Sequence, residues 1–121
     1  MSAKRILVLD DSPIMLEVTQ MALEEEGYDV ATAKDLNDFE LRRAERAPDL
    51  ILVDVQMPEA FGDDVATTLR GARGVRTPIL LLSGLENSEL ARRAAEAEVD
   101  GWISKNAGVE ELVRRVRQIL A

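Results

Sequence analysis

The sequence predicts an α/β fold in which a five-stranded parallel sheet carries helices on both faces. Short apolar runs alternate five times with amphipathic segments, and this alternation is typical of parallel strands joined by right-handed crossovers. Three of the runs are continuously apolar, as expected of strands that are buried on both faces. The chain has 121 residues, which suits a single core, so we expect residues 1–121 to form one domain.

The five apolar runs are the candidate strands. They are "ILVL" (6–9), "DVATA" (29–33), "LILVD" (50–54), "PILLLS" (78–83) and "GWIS" (101–104). The first, third and fourth contain the continuous apolar stretches. "DVATA" is less apolar than these three, which favours a position near an edge of the sheet.

The first two helices are predicted from their ends. The first has Ser12 as its N-cap and Pro13 as its first residue, and it stops at Gly27, a residue type common just beyond a helix. A second helix runs through "LNDFELRRAERA" and ends before Pro48. Each of these helices lies between two predicted strands, as the alternation requires.

Three more helices are predicted in the second half of the chain. A short one is expected near 63–70 and another over about 88–97. The last is the clearest, because its apolar residues recur at steps of three and four and so share one face. These residues are Val109, Leu112, Val113, Val116, Ile119 and Leu120.

The composition excludes several kinds of chemistry and partner. The chain has no cysteine and no histidine, which excludes disulfides, thiolate nucleophiles and histidine ligands. Its net charge of −8 argues against direct binding of nucleic acid and of anionic membranes. No stretch approaches the ~20 apolar residues of a transmembrane helix, and the first apolar run is too short for a signal peptide. We therefore expect a cytoplasmic protein.

Polar residues end the strands at one edge of the predicted sheet. In open parallel sheets, ligands bind beyond the carboxyl ends of the strands, where the strand order reverses; for the flavodoxin-like order 2-1-3-4-5 this is between the first and third strands. Each of these polar residues, taken alone, suits a helix start or a turn. Their position at one shared edge of the sheet indicates a site. The amino ends of the strands show no comparable set of polar residues. The residues are Asp10 and Asp11 after the first strand, Asp54 on the third, Ser83 and Gly84 at the fourth, and Lys105 after the fifth.

Three carboxylates in one crevice predict a site for a hard divalent cation such as Mg²⁺. With Lys105 they carry a net charge of −2, which such a cation would neutralise. One carboxylate could then attack a phosphorus centre and become an aspartyl phosphate, with Lys105 and the Ser83 hydroxyl stabilising the transferring oxygens. Asp54 is the better nucleophile candidate because it stands alone on its strand, whereas the adjacent pair is better arranged to hold a metal.

Four segments of the sequence resemble the receiver domain of bacterial two-component response regulators. They are "VLDDSP", "LILVDVQMP", "PILLLSG" and "GWISK", separated by the spacings usual in that family. Each segment is weak evidence alone, but together they are specific. The resemblance covers essentially the whole chain, and it implies a (βα)5 flavodoxin-like three-layer sandwich.

The resemblance implies a role for each acidic residue. Asp54 matches the phosphoacceptor, which the domain phosphorylates and later dephosphorylates by its own catalysis. Asp10 and Asp11 match the acidic pair of the Mg²⁺ site, with Asp11 the more direct ligand. Gln56 matches the position whose backbone carbonyl completes the metal site.

The resemblance also implies roles on the fourth and fifth strands. Ser83 matches the hydroxyl residue that bonds the phosphoryl group, and Gly84 matches the small residue that leaves room for it. Lys105 matches the lysine that pairs with the acidic site and contacts the phosphoryl group. Trp102 lies at the aromatic switch position, which is expected to move inward when Ser83 is drawn toward the phosphoryl group.

The implied function is a phosphorelay switch with two kinds of partner. A sensor histidine kinase or phosphotransfer protein would donate the phosphoryl group from a phosphohistidine. The surface formed by the fourth helix, fifth strand and fifth helix would then change for a downstream output domain or effector protein. The same face is a candidate for a phosphorylation-dependent homodimer.

The chain departs from the family pattern at three positions. Trp102 is bulkier than the usual Tyr or Phe, which places a full inward swing in question. Asn106 stands where the residue after the lysine is often Pro. Phe61, in the loop "MPEAFGDD", occupies a spot that is commonly small or polar; it is a kinase contact or a loop anchor, and the anchor is favoured.

Three alternatives stay open at the level of sequence. A receiver fold can serve as a constitutive binding module that is never phosphorylated, although the intact set of site residues speaks against this. A phosphatase of the haloacid-dehalogenase type needs Asp-x-Asp, whose second aspartate would fall on Ser12. A flavodoxin is disfavoured because a carboxylate cluster would repel the phosphate of a flavin.

Overall fold

A computed structural model describes residues 3–54, 76–83, 92 and 99–121. Five parallel strands form one sheet of order β2-β1-β3-β4-β5, which confirms the predicted fold class and the edge position of the second strand. The predicted strand limits agree with the structure to within one residue at each end. The strands are β1 (Arg5–Leu9), β2 (Asp29–Ala33), β3 (Leu50–Asp54), β4 (Ile79–Ser83) and β5 (Gly101–Ser104).

The core is divided by the sheet into two apolar layers. Alternate residues of β1 show this division, since Leu7 and Leu9 face one layer while Ile6 and Val8 face the other. Phe39, from the second helix, fills the first layer. The first and last helices cover the second layer, so helices lie on both faces of the sheet.

The first helix, α1 (Pro13–Glu25), begins where its cap residues predict. The Ser12 hydroxyl accepts a hydrogen bond from the Met15 backbone N–H at 3.3 Å, which satisfies one of the free donors of the first turn. Beyond the last turn Gly27 has a φ of 93°, a conformation that glycine adopts without steric cost.

The second helix, α2 (Leu36–Glu45), ends two residues earlier than predicted. Asp35 caps its start by accepting the Asp38 backbone N–H at 2.8 Å. Arg46 has extended backbone, with φ −161° and ψ 129°. Its guanidinium bonds Asp29 at 2.8 Å and the carbonyl of Ala3 at 3.1 Å, so a contact with the start of β2 replaces the last predicted turn.

A 3₁₀ turn (Lys105–Ala107) leads from β5 into the C-terminal helix (Val109–Leu120). Leu112 and Val116 of this helix are buried, as the apolar periodicity predicts. Val109 is 40% exposed, so the predicted apolar face is not buried over its full length. The helices predicted near 63–70 and over 88–97 lie outside the described residues, apart from Arg92, which is helical and exposed.

Aspartates also lie at the amino ends of three strands, so the expectation that these ends hold nothing comparable was wrong. Asp29 is the first residue of β2 and binds Arg5 at 3.1 Å. Asp49 precedes β3 and accepts the Arg5 backbone N–H at 2.8 Å. Asp100 precedes β5 and accepts the Ile79 backbone N–H at 2.8 Å. These carboxylates join the starts of neighbouring strands.

Across the parts of the chain that the structure describes, no helix combines the length and apolar character needed to cross a membrane.

Candidate functional site

Three carboxylates converge at the carboxyl edge of the sheet. One carboxylate oxygen from each of Asp10, Asp11 and Asp54 lies within 4.8 Å of the others. This follows from strand pairing, because β1 and β3 are hydrogen-bonded neighbours with Leu9 opposite Val53, which brings the residues that follow onto the same edge. The structure therefore brings together the three acidic residues that the sequence predicts for the site.

The three carboxylates differ in exposure and in partners. Asp10 is 2% exposed and Asp54 is 3% exposed, whereas Asp11 is open to solvent. Both oxygens of Asp10 are engaged: Oδ1 accepts the Ser12 backbone N–H at 2.9 Å, and Oδ2 lies 2.9 Å from the ammonium of Lys105. Asp10 thus also shapes the turn into α1, together with the predicted cap residue Ser12.

Lys105 links two of the carboxylates from the far side of the crevice. Its Nζ lies 2.9 Å from Asp10 Oδ2 and 3.4 Å from Asp54 Oδ1. Burial lowers the pKa of Lys105, but the hydrogen bond and charge of Asp10, reinforced by those of Asp54, outweigh burial and leave the pKa above its usual value. The lysine is therefore a fixed positive charge between two buried carboxylates.

The backbone that carries Lys105 is held on both sides. The Ser104 hydroxyl accepts the Asn106 backbone N–H at 3.1 Å, and Gly108 ends the turn with φ 88° and ψ 169°. Sequence reasoning did not identify Ser104 as the residue that caps this turn. The sequence did carry a signal, because serine commonly caps a short turn by accepting the backbone N–H of the residue two positions later.

The other predicted site residues are described only in part. The backbone of Ser83 pairs with that of Ser104 at the carboxyl ends of β4 and β5, and its side chain lies outside what the structure describes. Gln56 and Gly84 fall outside the described residues, as does Phe61.

Trp102 lies on β5, an edge strand of the sheet. The indole is half-buried and packs against the core layer that contains Leu7, Leu9 and Phe39. It also borders an open pocket of about 390 Å³ that is lined in part by Glu111 and Arg115 of the C-terminal helix. Trp102 is thus placed between the core and a surface cavity.

The fold and this edge define a class of protein: a doubly wound parallel α/β domain with an acidic cluster and a paired lysine at the switch point of its sheet. Oxygen ligands from carboxylates suit a hard divalent cation. The buried carboxylate of Asp54 beside a lysine suits acceptance of a group whose oxygens carry negative charge.

Comparison with known proteins gives the particular family. The chain belongs to the response regulator receiver domain family, whose model matches residues 6–117. The family that the sequence motifs indicate is thereby confirmed.

Several curated regulators are similar to this chain over nearly all of its length. The chain is 33% identical to the probable transcriptional regulatory protein TcrX of Mycobacterium tuberculosis, with 95% of this chain and 49% of the relative covered. It is 36% identical to the alkaline phosphatase synthesis transcriptional regulatory protein PhoP of Bacillus subtilis, with 97% and 48% covered. The chain therefore spans about half the length of these relatives.

Several solved structures have a similar fold over nearly the whole of this chain. The chemotaxis protein CheY4 of Vibrio cholerae superposes with a TM-score of 0.88 at 25% identity, with 98% of this chain and 99% of that chain covered. The receiver domain of a signal transduction histidine kinase from Syntrophus aciditrophicus has a TM-score of 0.85 at 31% identity, with 98% and 90% covered.

Proposed function

We propose that this receiver domain is a phosphorelay switch that accepts a phosphoryl group on Asp54 in a Mg²⁺-dependent reaction. One observation carries the proposal: the carboxylates of Asp10, Asp11 and Asp54 converge within 4.8 Å, and Lys105 bridges two of them. Membership of the response regulator receiver family supports the same chemistry.

The donor set suits Mg²⁺, because all three converging groups are hard oxygen ligands. Asp11 is the more direct ligand, since its carboxylate is exposed while both oxygens of Asp10 already have partners in the protein. Asp54 and the backbone carbonyl of Gln56 complete the proposed set. When bound, Mg²⁺ neutralises charge on the phosphoryl oxygens and on the carboxylates that surround them.

Asp54 acts as the nucleophile in the proposed transfer. A carboxylate oxygen of Asp54 forms a bond to phosphorus while the bond from phosphorus to the donor's imidazole nitrogen breaks, and that nitrogen keeps the electron pair. The Lys105 ammonium and the Ser83 hydroxyl bind the phosphoryl oxygens, and Gly84 leaves room for them. In dephosphorylation a water oxygen bonds to phosphorus while the bond from phosphorus to Asp54 breaks; the Asp54 carboxylate keeps the electron pair, the water loses a proton to solvent, and inorganic phosphate leaves.

The proposed donor is a sensor histidine kinase or a phosphotransfer protein. The chain has no histidine, so the phosphohistidine belongs to the partner. Since the Asp54 side chain is almost fully buried, the donor must approach closely and rest on the surrounding surface. Ile14 lies in the first turn of α1, just after Asp11, and is 73% exposed, so we assign it to the donor's contact surface.

The proposed output of the switch involves Trp102 and the face around β5. Ser83 moves toward the phosphoryl group, Trp102 shifts into the space this opens, and the face of the fourth predicted helix, β5 and the C-terminal helix changes shape. The indole is only half-buried and borders an open pocket, so it is not locked in the core and can change position. An output domain or effector protein, or a second copy of the chain, reads this face. The domain itself contacts no nucleic acid, and its proposed compartment is the cytoplasm.

The phosphoacceptor assignment is tested by labelling. The parent chain with Mg²⁺ and acetyl phosphate should gain one phosphoryl group by mass spectrometry, and Asp54→Asn should gain none. Asp38→Asn, which changes a carboxylate of α2 that is not part of the acidic cluster, should label like the parent. Labelling of Asp54→Asn at the parent's rate would sink the assignment.

A second measurement separates the switch from a constitutive binding module. Trp102 is the only tryptophan in the sequence, so its fluorescence reports one position near the site. Adding Mg²⁺ and then beryllofluoride, a phosphoryl mimic, should change the emission of the parent and leave that of Asp54→Asn unchanged. If the parent neither labels nor responds to Mg²⁺, the binding-module alternative is favoured.

A further inference from the structure

We propose that the hydroxyl of Ser104 is a positioning group that holds Lys105 against Asp10 and Asp54. Ser104 does not contact the carboxylates in this assignment and acts only through the lysine. The kinetic consequence rests on the proposed phosphoryl transfer, whereas the structural consequence does not.

The geometry of the turn carries the proposal. Lys105 is the first residue of the 3₁₀ turn that follows β5, and Ser104 enters it with extended backbone, at φ −74° and ψ 131°. The Ser104 hydroxyl reaches over Lys105 to accept the Asn106 backbone N–H at 3.1 Å. The backbone of Lys105 therefore lies between Ser104, the last residue of β5, and a turn that this hydrogen bond stabilises.

The position of this turn explains why such a bond matters. Lys105 must span the crevice, because Asp10 follows β1 and Asp54 ends β3, whereas Lys105 itself follows β5 at the end of the sheet. A lysine side chain loses rotamer entropy when it is fixed. A turn that already holds the Lys105 backbone in place leaves only the side chain to be ordered, which lowers the total entropy cost of fixing the ammonium between the carboxylates.

This hydrogen bond requires a residue at position 106 that has a backbone N–H. Asn106 supplies a backbone N–H, whereas proline, often found after the lysine in domains that this sequence resembles, has none. In this chain the Ser104 hydroxyl is therefore paired with a donor that a proline could not supply. The Asn106 side chain is not needed for the bond.

Three variants test the assignment. Ser104→Ala removes the acceptor, while Ser104→Thr and Asn106→Ala keep the bond. A hydrogen bond of about 1 kcal/mol corresponds to a change of about two- to tenfold in rate. We therefore expect Ser104→Ala to slow labelling of Asp54 by acetyl phosphate about two- to tenfold, with the two bond-keeping variants within about twofold of the parent.

The Lys105→Ala background shows whether Ser104 acts through the lysine. Adding Ser104→Ala to Lys105→Ala should cause no further slowing. Ser104→Ala at the parent's rate, or an equal slowing with and without Lys105, overturns the proposal. Failure of the parent itself to label would count against the proposed function and leaves the structural test below to decide the role of Ser104.

Nuclear magnetic resonance gives that structural test without any phosphoryl donor. In Ser104→Ala the Asn106 amide should exchange with solvent about two- to tenfold faster, in line with the loss of one hydrogen bond. Nuclear Overhauser contacts between the Lys105 side-chain end and the Asp10 β-protons should weaken, and Ser104→Thr should restore them. Unchanged contacts in Ser104→Ala would show that Lys105 is positioned without Ser104.

Discussion

At the scale of single residues, aspartates at the two ends of the sheet have different partners. Asp49 and Arg5 exchange two hydrogen bonds across the amino ends of β3 and β1, each of 2.8 Å. Asp100 and Ile79 do the same for β5 and β4, at 2.9 and 2.8 Å. At the carboxyl ends, Asp10 and Asp54 converge on each other and on Lys105. Aspartate occurs at both ends of the strands, so the convergence of several carboxylates, and not the presence of aspartate, distinguishes the functional edge of the sheet.

Replacement of Lys105 by methionine tests this electrostatic balance. In the Lys105→Met variant Asp10 and Asp54 lose a shared cation, so we expect the free energy of unfolding without Mg²⁺ to fall by about 1–3 kcal/mol, less than for a fully buried pair. The affinity for Mg²⁺ should rise severalfold because the competing cation is gone. Urea denaturation and titration calorimetry measure the two effects.

A lysine outside the site provides the control for this variant. Lys4 is exposed and precedes β1, at the amino edge of the sheet, and Lys4→Met should change neither quantity appreciably. Weaker Mg²⁺ binding by Lys105→Met would mean that the lysine supports the metal site instead of competing with it.

At the scale of elements, two glycines of positive φ follow secondary structure in different settings. Gly27 follows α1 with φ 93°, and Gly108 follows the turn that carries Lys105 with φ 88° and ψ 169°. An added Cβ would meet nothing within 4 Å at either position, so a substitution costs backbone strain alone. Substitutions at these two glycines therefore distinguish the effect of backbone strain near the site from that of backbone strain elsewhere in the domain.

Replacing each glycine by alanine should destabilise the domain. We expect Gly27→Ala to lower the free energy of unfolding by about 1–2 kcal/mol and Gly108→Ala by about 1–3 kcal/mol, because the φ and ψ of Gly108 fall in a region that is essentially restricted to glycine. Only Gly108→Ala should also slow labelling of Asp54, since it disturbs the turn that carries Lys105. Equal labelling rates for the two variants would show that the turn does not transmit strain to the site.

Sequence reasoning predicted most elements because their signals are local. The apolar runs fixed the strands, and the Ser12–Pro13 pair fixed the start of α1. The convergence of Asp10 and Asp54 was predictable because parallel pairing aligns carboxyl ends. The early end of α2 was not, because it depends on the distant contact of Arg46 with Asp29. The proposed roles of Gln56 and Gly84 stay predictions.

At the scale of the whole molecule, the two faces of the sheet present different apolar side chains to solvent. α1 and the C-terminal helix share one face and are linked by an ion pair between Glu26 and Arg117. Ile14 is exposed on this face, near the acidic site. On the other face α2 exposes Leu41, which is 56% exposed. The two residues are similar in size and exposure and differ in their distance along the chain from the site residues.

This pair tests where the phosphoryl donor docks. Ile14→Asp places a charge in the proposed contact surface, so transfer from a phosphorylated histidine kinase that labels the parent should slow about tenfold or more, the effect of losing one well-packed interface contact. The rate of transfer from the kinase to Leu41→Asp should be within about twofold of the rate for the parent. With acetyl phosphate, which needs no protein surface, both variants should label like the parent. Kinase transfer to Ile14→Asp at the parent's rate would mean that the donor contacts another part of the surface. If labelling of Ile14→Asp by acetyl phosphate were also slower than that of the parent, the defect would lie in the phosphorylation site itself.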